Sequence, residues 1–293
     1  MTSLIGNAPV DGVDVAALLG IPISAEQERA VQAPLKPCAV IAGAGTGKTT
    51  VMAARVVWLV ASRLVSPEEI LGLTFTNKAT AELSERIESN LTRVGLLTSE
   101  QPRPTVATYD SFAGTLVNDY GAWDGISTGA HLITGARAYQ LAAEVVMGLD
   151  KAPLAATHMG PTFIAQAVVK LAGAMASHDA SPGKVRRADA RWRQMLLDAP
   201  TKRGGDRYAD IDKWLSRVDE REELLDLVAA YQNLKKERGL VEFGDRMVQA
   251  LHLVTHHPRV GEELRARYRV VLLDEYQDLS LIHISEPTRP ERI

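Results

Sequence analysis

Cysteine is nearly missing. Cys38 stands alone among 293 residues, so no internal disulfide can form, and the chain reads as a reduced, cytoplasmic protein. Long apolar runs are missing too. The best candidate, residues 51–65, is interrupted by Arg55 and Arg63, whereas a membrane span needs about 20 apolar residues in a row. Residues 1–20 carry Asp11 and Asp14 and show no basic start followed by an apolar core, so no secretory leader is expected. Neither sign of charge dominates: 33 Lys and Arg against 36 Asp and Glu leave a net charge of −3. That excludes a histone-like positive coat but leaves room for a local basic groove. What is present is ordinary globular composition, 46% apolar and 24% charged, which excludes disorder as the dominant state.

The length suits about two average domains. Residues 1–22 read as a weakly ordered lead-in. The SAEQ stretch at 24–27 fits a capping box that opens a short helix, which Pro34 and Pro37 end. Residues 38–42 (CAVIA), 70–75 (ILGLTF) and 105–109 (TVATY) are strand patterns. Helical patterns occupy 48–64 and 78–91 between them, which predicts a parallel α/β sheet. From 112 to 237 the pattern turns helical, at 136–147, 162–176 and 219–236, with no convincing strand. Residues 181–207 are polar, basic and glycine-containing and read as a loop region. A helix at 242–254 and a strand at 269–274 (RVVLLD) close the pattern. The expected organisation is a core of residues 23–112 and 239–278 interrupted by an all-helical insertion of residues 113–238.

The AGAGTGKT sequence at 42–49 follows a strand pattern and opens a helix, as a phosphate-binding loop requires. Small residues let consecutive backbone N–H groups curl around phosphate oxygens, and the helix N-terminus adds a favourable dipole. Ala42, Gly43, Ala44, Gly45, Thr46, Gly47, Lys48, Thr49 and Thr50 are therefore the candidate nucleotide-binding residues. Lys48 is suited to the β and γ phosphates, and the Thr49 hydroxyl to Mg²⁺. Ala42 occupies the position that the strict pattern gives to glycine. The LLDEYQD sequence at 272–278 supplies the carboxylate such a loop needs. Asp274 would hold Mg²⁺, and Glu275 would orient and deprotonate the attacking water. Lys48 and Asp274 lie 226 residues apart, which independently calls for an insertion.

The pairing of AGAGTGKT with DEYQD resembles the superfamily 1 DNA helicases of the UvrD/Rep/PcrA and RecB type. Further segments agree in order. ISAEQERAV at 23–31 is similar to the Q motif, which makes Gln27 the residue that reads the adenine edge. TFTNKATAEL at 74–83 matches motif Ia. TYDSF at 108–112 is similar to motif Ib, with Asp110 where that family commonly has His. GLVEFGD at 239–245 resembles the segment where the chain re-enters the core, with Glu242 where Asp is common. The resemblance covers 23–112 and 239–278. It implies a RecA-like parallel sheet (domain 1A) with a helical insertion (domain 1B), ATP and Mg²⁺ as cofactors, and 3′-to-5′ movement on single-stranded DNA at a duplex junction. Glu275, Lys48 and Gln277 take catalytic roles in it. Phe75, Thr76, Asn77, Lys78, Tyr109, Ser111 and Phe112 contact DNA, as stacking faces and phosphate holders. Phe75 and Phe112 read equally well as core aromatics. The TGARAY stretch at 134–139 is similar to an actinobacterial AdnB-like branch, which adds a helicase–nuclease partner subunit.

Arg186, Arg187, Arg191 and Arg193 read either as a duplex-contacting patch or as a solvated basic loop, and the interspersed acids favour the loop. Trp58 and Trp214 read as core or half-buried packing, and Cys38 as a buried residue. After Asp278 the string LSLIHISEPTR resembles the translation of a transposase-based sequencing adapter, so residues 279–293 are expected to be non-native. On the resemblance, a second motor domain carrying arginine fingers would then be absent, and the chain alone would bind nucleotide without appreciable hydrolysis. The competing readings are another class of phosphate-loop NTPase, and a non-catalytic nucleotide- or nucleic-acid-binding module.

Overall fold

The computed structural model describes residues 13–20, 22–43, 45–127, 129–151, 153, 158–202, 207–276 and 279. In chain order the elements are α1 (Val15–Leu19), α2 (Ala25–Val31), α3 (Lys48–Ala61), β1 (Ile70–Thr74), α4 (Asn77–Arg93), β2 (Thr105–Thr108) and α5 (Tyr109–Tyr120). Then come β3 (His131–Leu132), α6 (Gly135–Met147), α7 (Pro161–Ser177), α8 (Pro182–Leu197), α9 (Ala209–Glu237), β4 (Leu240–Val241) and α10 (Phe243–His256), followed by α11 (Pro258–Arg267) and β5 (Val270–Leu273). The described residues divide into two compact units. One runs to Thr115 and resumes over Val254–Leu279; the other is Leu116–Leu253.

The first unit is built on a parallel sheet in the order β2-β1-β5. All five residues of β1 are buried, as expected of a central parallel strand covered on both faces. The α3 helix supplies much of the core through Ala53, Val56, Val57 and Leu59. The α4 helix adds Leu83, Ile87 and Leu91 at helical spacing. The lead-in contains more order than its sequence suggested. Asp14 caps α1 by accepting from the Ala17 N–H at 3.0 Å, Gly20 ends it in the left-handed region, and Val15 and Leu19 are fully buried in the same core. The α11 helix, which no expectation covered, buries Val260 and Leu264.

The strand expected at 38–42 does not form. No pairing involves those residues, and Ile41 is 97% exposed. An apolar run becomes a strand only where a neighbour completes its hydrogen bonds. Among the described residues, β5 pairs with β1 alone and no strand lies alongside 38–42. Cys38 is exposed for the same reason, against the expectation of burial.

The second unit packs α6, α7 and α9 around Leu141, Ile164, Val168, Leu225, Val228 and Tyr231. It is helical except for a two-residue parallel ladder, His131↔Leu240 and Leu132↔Val241, which corrects the expectation of no strand. The expected loop at 181–207 is largely α8. Ser181 caps it by accepting from the Lys184 N–H, and Pro182 occupies its first turn. Residues 239–253, expected in the re-entering core, lie in this second unit. Lys235, 2% exposed on α9, explains why: its ammonium donates to Glu242 and Asp245, both at 2.6 Å. Tyr231 donates to the same Glu242 at 2.7 Å, so this charge cluster ties the start of α10 to α9.

Candidate functional site

The loop before α3 is built as its glycines allow. Gly45 and Gly47 have φ of 76° and 83°, a region where side chains with a Cβ are strained. Gly47 is the N-cap of α3, so the helix starts directly at Lys48 and presents its first N–H groups to the loop. The Thr46 hydroxyl closes the turn by donating to the Gly43 carbonyl at 2.8 Å. The Lys48 ammonium folds back over the loop and donates to the carbonyls of Ala42 and Gly43, both at 3.4 Å. The Thr50 hydroxyl accepts from Arg86 at 2.8 Å. Thr49 is half-buried in the first turn, and Ala44 lies outside the described residues.

Gln27 sits at this loop. Its amide N–H donates to the Thr46 carbonyl at 3.1 Å, and its amide oxygen accepts from the Ser24 N–H at 3.0 Å. The expected capping box is complete, since the Ser24 hydroxyl also accepts from the Gln27 N–H. The two amide bonds fix which end is oxygen and which is nitrogen. One N–H and one lone pair remain for another partner.

Asp274 follows β5. Its N–H continues the ladder by donating to the Leu73 carbonyl at 2.9 Å. Burial pushes its carboxyl above the usual range, and the neighbouring Glu275 pushes the same way; the Glu275 N–H, donating at 3.1 Å, and the charge of Lys48 oppose the shift. Glu275 itself has φ of 49°, left-handed for a residue with a Cβ, and such strain gathers at functional positions. Gln277 lies outside the described residues. A hydroxyl such as that of Thr49 and a carboxylate such as that of Asp274 are hard oxygen donors of the kind that suits Mg²⁺.

The segment after β1 exposes Phe75, Thr76, Asn77 and Lys78. Thr76 caps α4 by accepting from the Ala79 N–H at 3.1 Å, leaving Lys78 in the first turn of a 17-residue helix. Phe75, 39% exposed, packs its ring 5.2 Å from Tyr109. Tyr109 does not offer a stacking face. It is buried, and its hydroxyl donates to the Asp274 carbonyl at 3.0 Å, because a buried phenol needs a partner. Burial and the nearby Asp274 charge push that phenol well above its ordinary range. Phe112 is half-buried edge-on against Tyr268 at 6.0 Å. Ser111 is exposed, its hydroxyl accepting from Thr108.

Of the basic residues in the insertion, Arg186 pairs with Glu222 and Asp226, and Arg193 pairs with Asp219. Half of the suspected patch therefore braces α8 on α9. Trp214 is 53% exposed, edge-on to an equally exposed Trp192, so of the two expected placements, core or half-buried, it does not take the core one. Trp58 is half-buried beside the first core, as expected. Sequence reasoning missed Arg55, which it treated only as a break in an apolar run. The residue is buried on α3 and binds main-chain carbonyls near the end of α2. A lone arginine within the helix's apolar run was the available signal.

Comparison with known proteins gives the family. The family described as UvrD/REP helicase N-terminal domain matches residues 23–285. The chain is 26% identical over 260 residues to a probable DNA helicase II homolog of Rickettsia felis, covering 89% of this chain and 34% of that protein. It is 27% identical over 261 residues to the ATP-dependent DNA helicase UvrD1 of Mycobacterium leprae, covering 87% of this chain and 28% of the relative. It is 27% identical over 271 residues to DNA helicase II of Haemophilus influenzae, covering 92% and 32% respectively. The chain thus spans about a third of the length of the curated relatives it matches. With the phosphate-loop geometry, the parallel sheet and the carboxylates after β5 all in one unit, the chain belongs to the UvrD/REP helicase N-terminal domain family.

Proposed function

We propose that this chain is the ATP-binding N-terminal motor domain of a cytoplasmic, ATP-dependent 3′-to-5′ DNA helicase that acts on single-stranded DNA at duplex junctions. The observation that carries the reading is the glycine-capped start of α3, with the Lys48 ammonium folded over the loop that precedes it. In this reading Lys48 leaves the loop carbonyls to bind the β and γ phosphates, and the N–H groups of residues 43–50 bind phosphate oxygens. Thr49 and Asp274 hold Mg²⁺, which when bound neutralises phosphate charge. Glu275 takes the proton of the attacking water, Gln277 assists it, and Gln27 reads adenine with its remaining N–H and lone pair.

Single-stranded DNA would run over the exposed segment that follows β1. Phe75 offers a stacking face there, and Thr76, Asn77, Lys78 and Ser111 hold phosphates. Tyr109 and Phe112 support that surface from below. The remaining motor domain and, on the AdnB-like resemblance, a helicase–nuclease subunit are the partners of the whole protein. Competition between nucleotides separates this reading from other phosphate-loop classes. ATP should displace a bound fluorescent ATP analogue at least tenfold more effectively than GTP, by the discrimination that one hydrogen-bonded base contact typically gives. Equal displacement by GTP would contradict it.

A further inference from the structure

Arg55 is only 8% exposed, yet no carboxylate pairs with it among the described residues. Its guanidinium instead donates to four main-chain carbonyls: Ala30 at 3.3 Å, Val31 at 2.9 Å, Ala33 at 2.8 Å and Pro34 at 3.3 Å. Ala30 and Val31 are carbonyls of the last turn of α2, and Ala33 and Pro34 follow the helix, so the guanidinium gathers the chain where α2 ends, and a cation there also meets the negative end of the helix dipole. An apolar residue here would leave those carbonyls without this donor, so Arg55 has a structural use. Its position suggests another use. Arg55 lies seven residues, about two turns, beyond Lys48 on the same helix. Gln27 lies at the other end of α2 and is bonded to Thr46 in the loop that opens that helix. The seven-residue α2 is too short to hold itself in place. It is therefore held at one end through Gln27 and at the other through Arg55, both by the loop–helix segment 46–55.

We infer that Arg55 is a positioning residue for adenine recognition: it sets the place of α2, and so of the Gln27 amide, relative to the phosphate loop. Arg55 touches no nucleotide in this arrangement. Its effect falls on base discrimination and not on phosphate binding, because Gly47 and Lys48 are placed by α3 itself. This inference rests on the reading of Gln27 as the adenine contact.

The test compares ATP with inosine triphosphate, which differs from ATP only at the base, by calorimetric titration of the full 293-residue chain with Mg²⁺. Arg55→Leu should weaken ATP roughly tenfold, the effect of misplacing a hydrogen-bonded contact, while inosine triphosphate changes by less than about twofold. Arg55→Lys, which keeps a cation but not the fork, should restore part of the loss. In a Gln27→Ala background Arg55→Leu should cost ATP nothing further, since residues acting through one contact are not additive. Equal weakening of both nucleotides by Arg55→Leu and by Arg55→Lys, or full additivity with Gln27→Ala, would overturn the positioning role alone. If Gln27→Ala leaves the ratio of the two affinities unchanged, the adenine reading of Gln27 falls, and the inference with it.

Discussion

The Tyr109 hydroxyl donates to the main-chain carbonyl of Asp274 at 3.0 Å, joining the end of β2 to the residue after β5 across a sheet in which β1 lies between them. Through its ring Tyr109 also packs on Phe75, the exposed aromatic of the proposed DNA track. One side chain thus spans from the track to the carboxylate segment. Tyr109→Phe keeps the ring and removes the bond. It should lower stability by about 1–2 kcal/mol in urea unfolding, because the Asp274 carbonyl loses a buried partner. Tyr109→Ala should cost about 3–5 kcal/mol, as for loss of a large core aromatic.

The same buried phenol predicts an alkaline limit to stability. Tyr109 and Tyr231 are both pushed above the ordinary value of 10.0, chiefly by burial. A folded-state pKa above the unfolded one means that the folded chain holds its protons longer. That stability is fully present below about pH 10 and is lost as pH rises beyond it. Thermal unfolding should therefore be flat from pH 8 to about pH 10 in this respect and fall steeply above, with a shallower fall in Tyr109→Phe.

Lys235 offers a sharper test of the second unit. Lys235→Met leaves Glu242 and Asp245 without their shared cation and should cost about 3–5 kcal/mol. Replacing all three by apolar residues of similar volume should recover most of that loss in the same denaturation assay. A single variant as stable as the parent would show that the cluster does not hold α10 to α9.

Trp214 is predicted to matter little for folding. At 53% exposure its replacement by Ala should cost less than about 1 kcal/mol, against the 3–5 kcal/mol typical of a buried tryptophan.

Local chemistry was the legible part of this chain. The Ser24–Gln27 capping box, the glycine-capped start of α3 and the strand-to-carboxylate passage at Asp274 each depend on a few neighbouring residues, and each stands in the structure as read. What escaped depends on distant partners. The α8 helix has no broad apolar stripe; it is held through Arg186, Arg193 and Asp189 to acids and Arg221 on α9, so a polar, glycine-containing sequence looked like a loop. Residues 38–42 have the apolar run of a strand, but strands need neighbours, and Ile41 has none among the described residues. Asp14 and Gly20 were ordinary capping signals around α1 that its shortness concealed. The roles of Arg55 and of the Tyr109 hydroxyl could not be read locally, because each bonds main-chain carbonyls that only the fold brings near.

If residues 42–50 and Asp274 form one nucleotide site, calorimetric titration of ATP with and without Mg²⁺ will show it. The parent chain should bind ATP in a Mg²⁺-dependent manner. Lys48→Ala should weaken that binding by at least about tenfold, through loss of a charge-assisted contact to phosphate, and Asp274→Asn should abolish most of the Mg²⁺ dependence. ATP binding that is indifferent to Mg²⁺ and unchanged in Lys48→Ala, or no binding at all, would contradict the account.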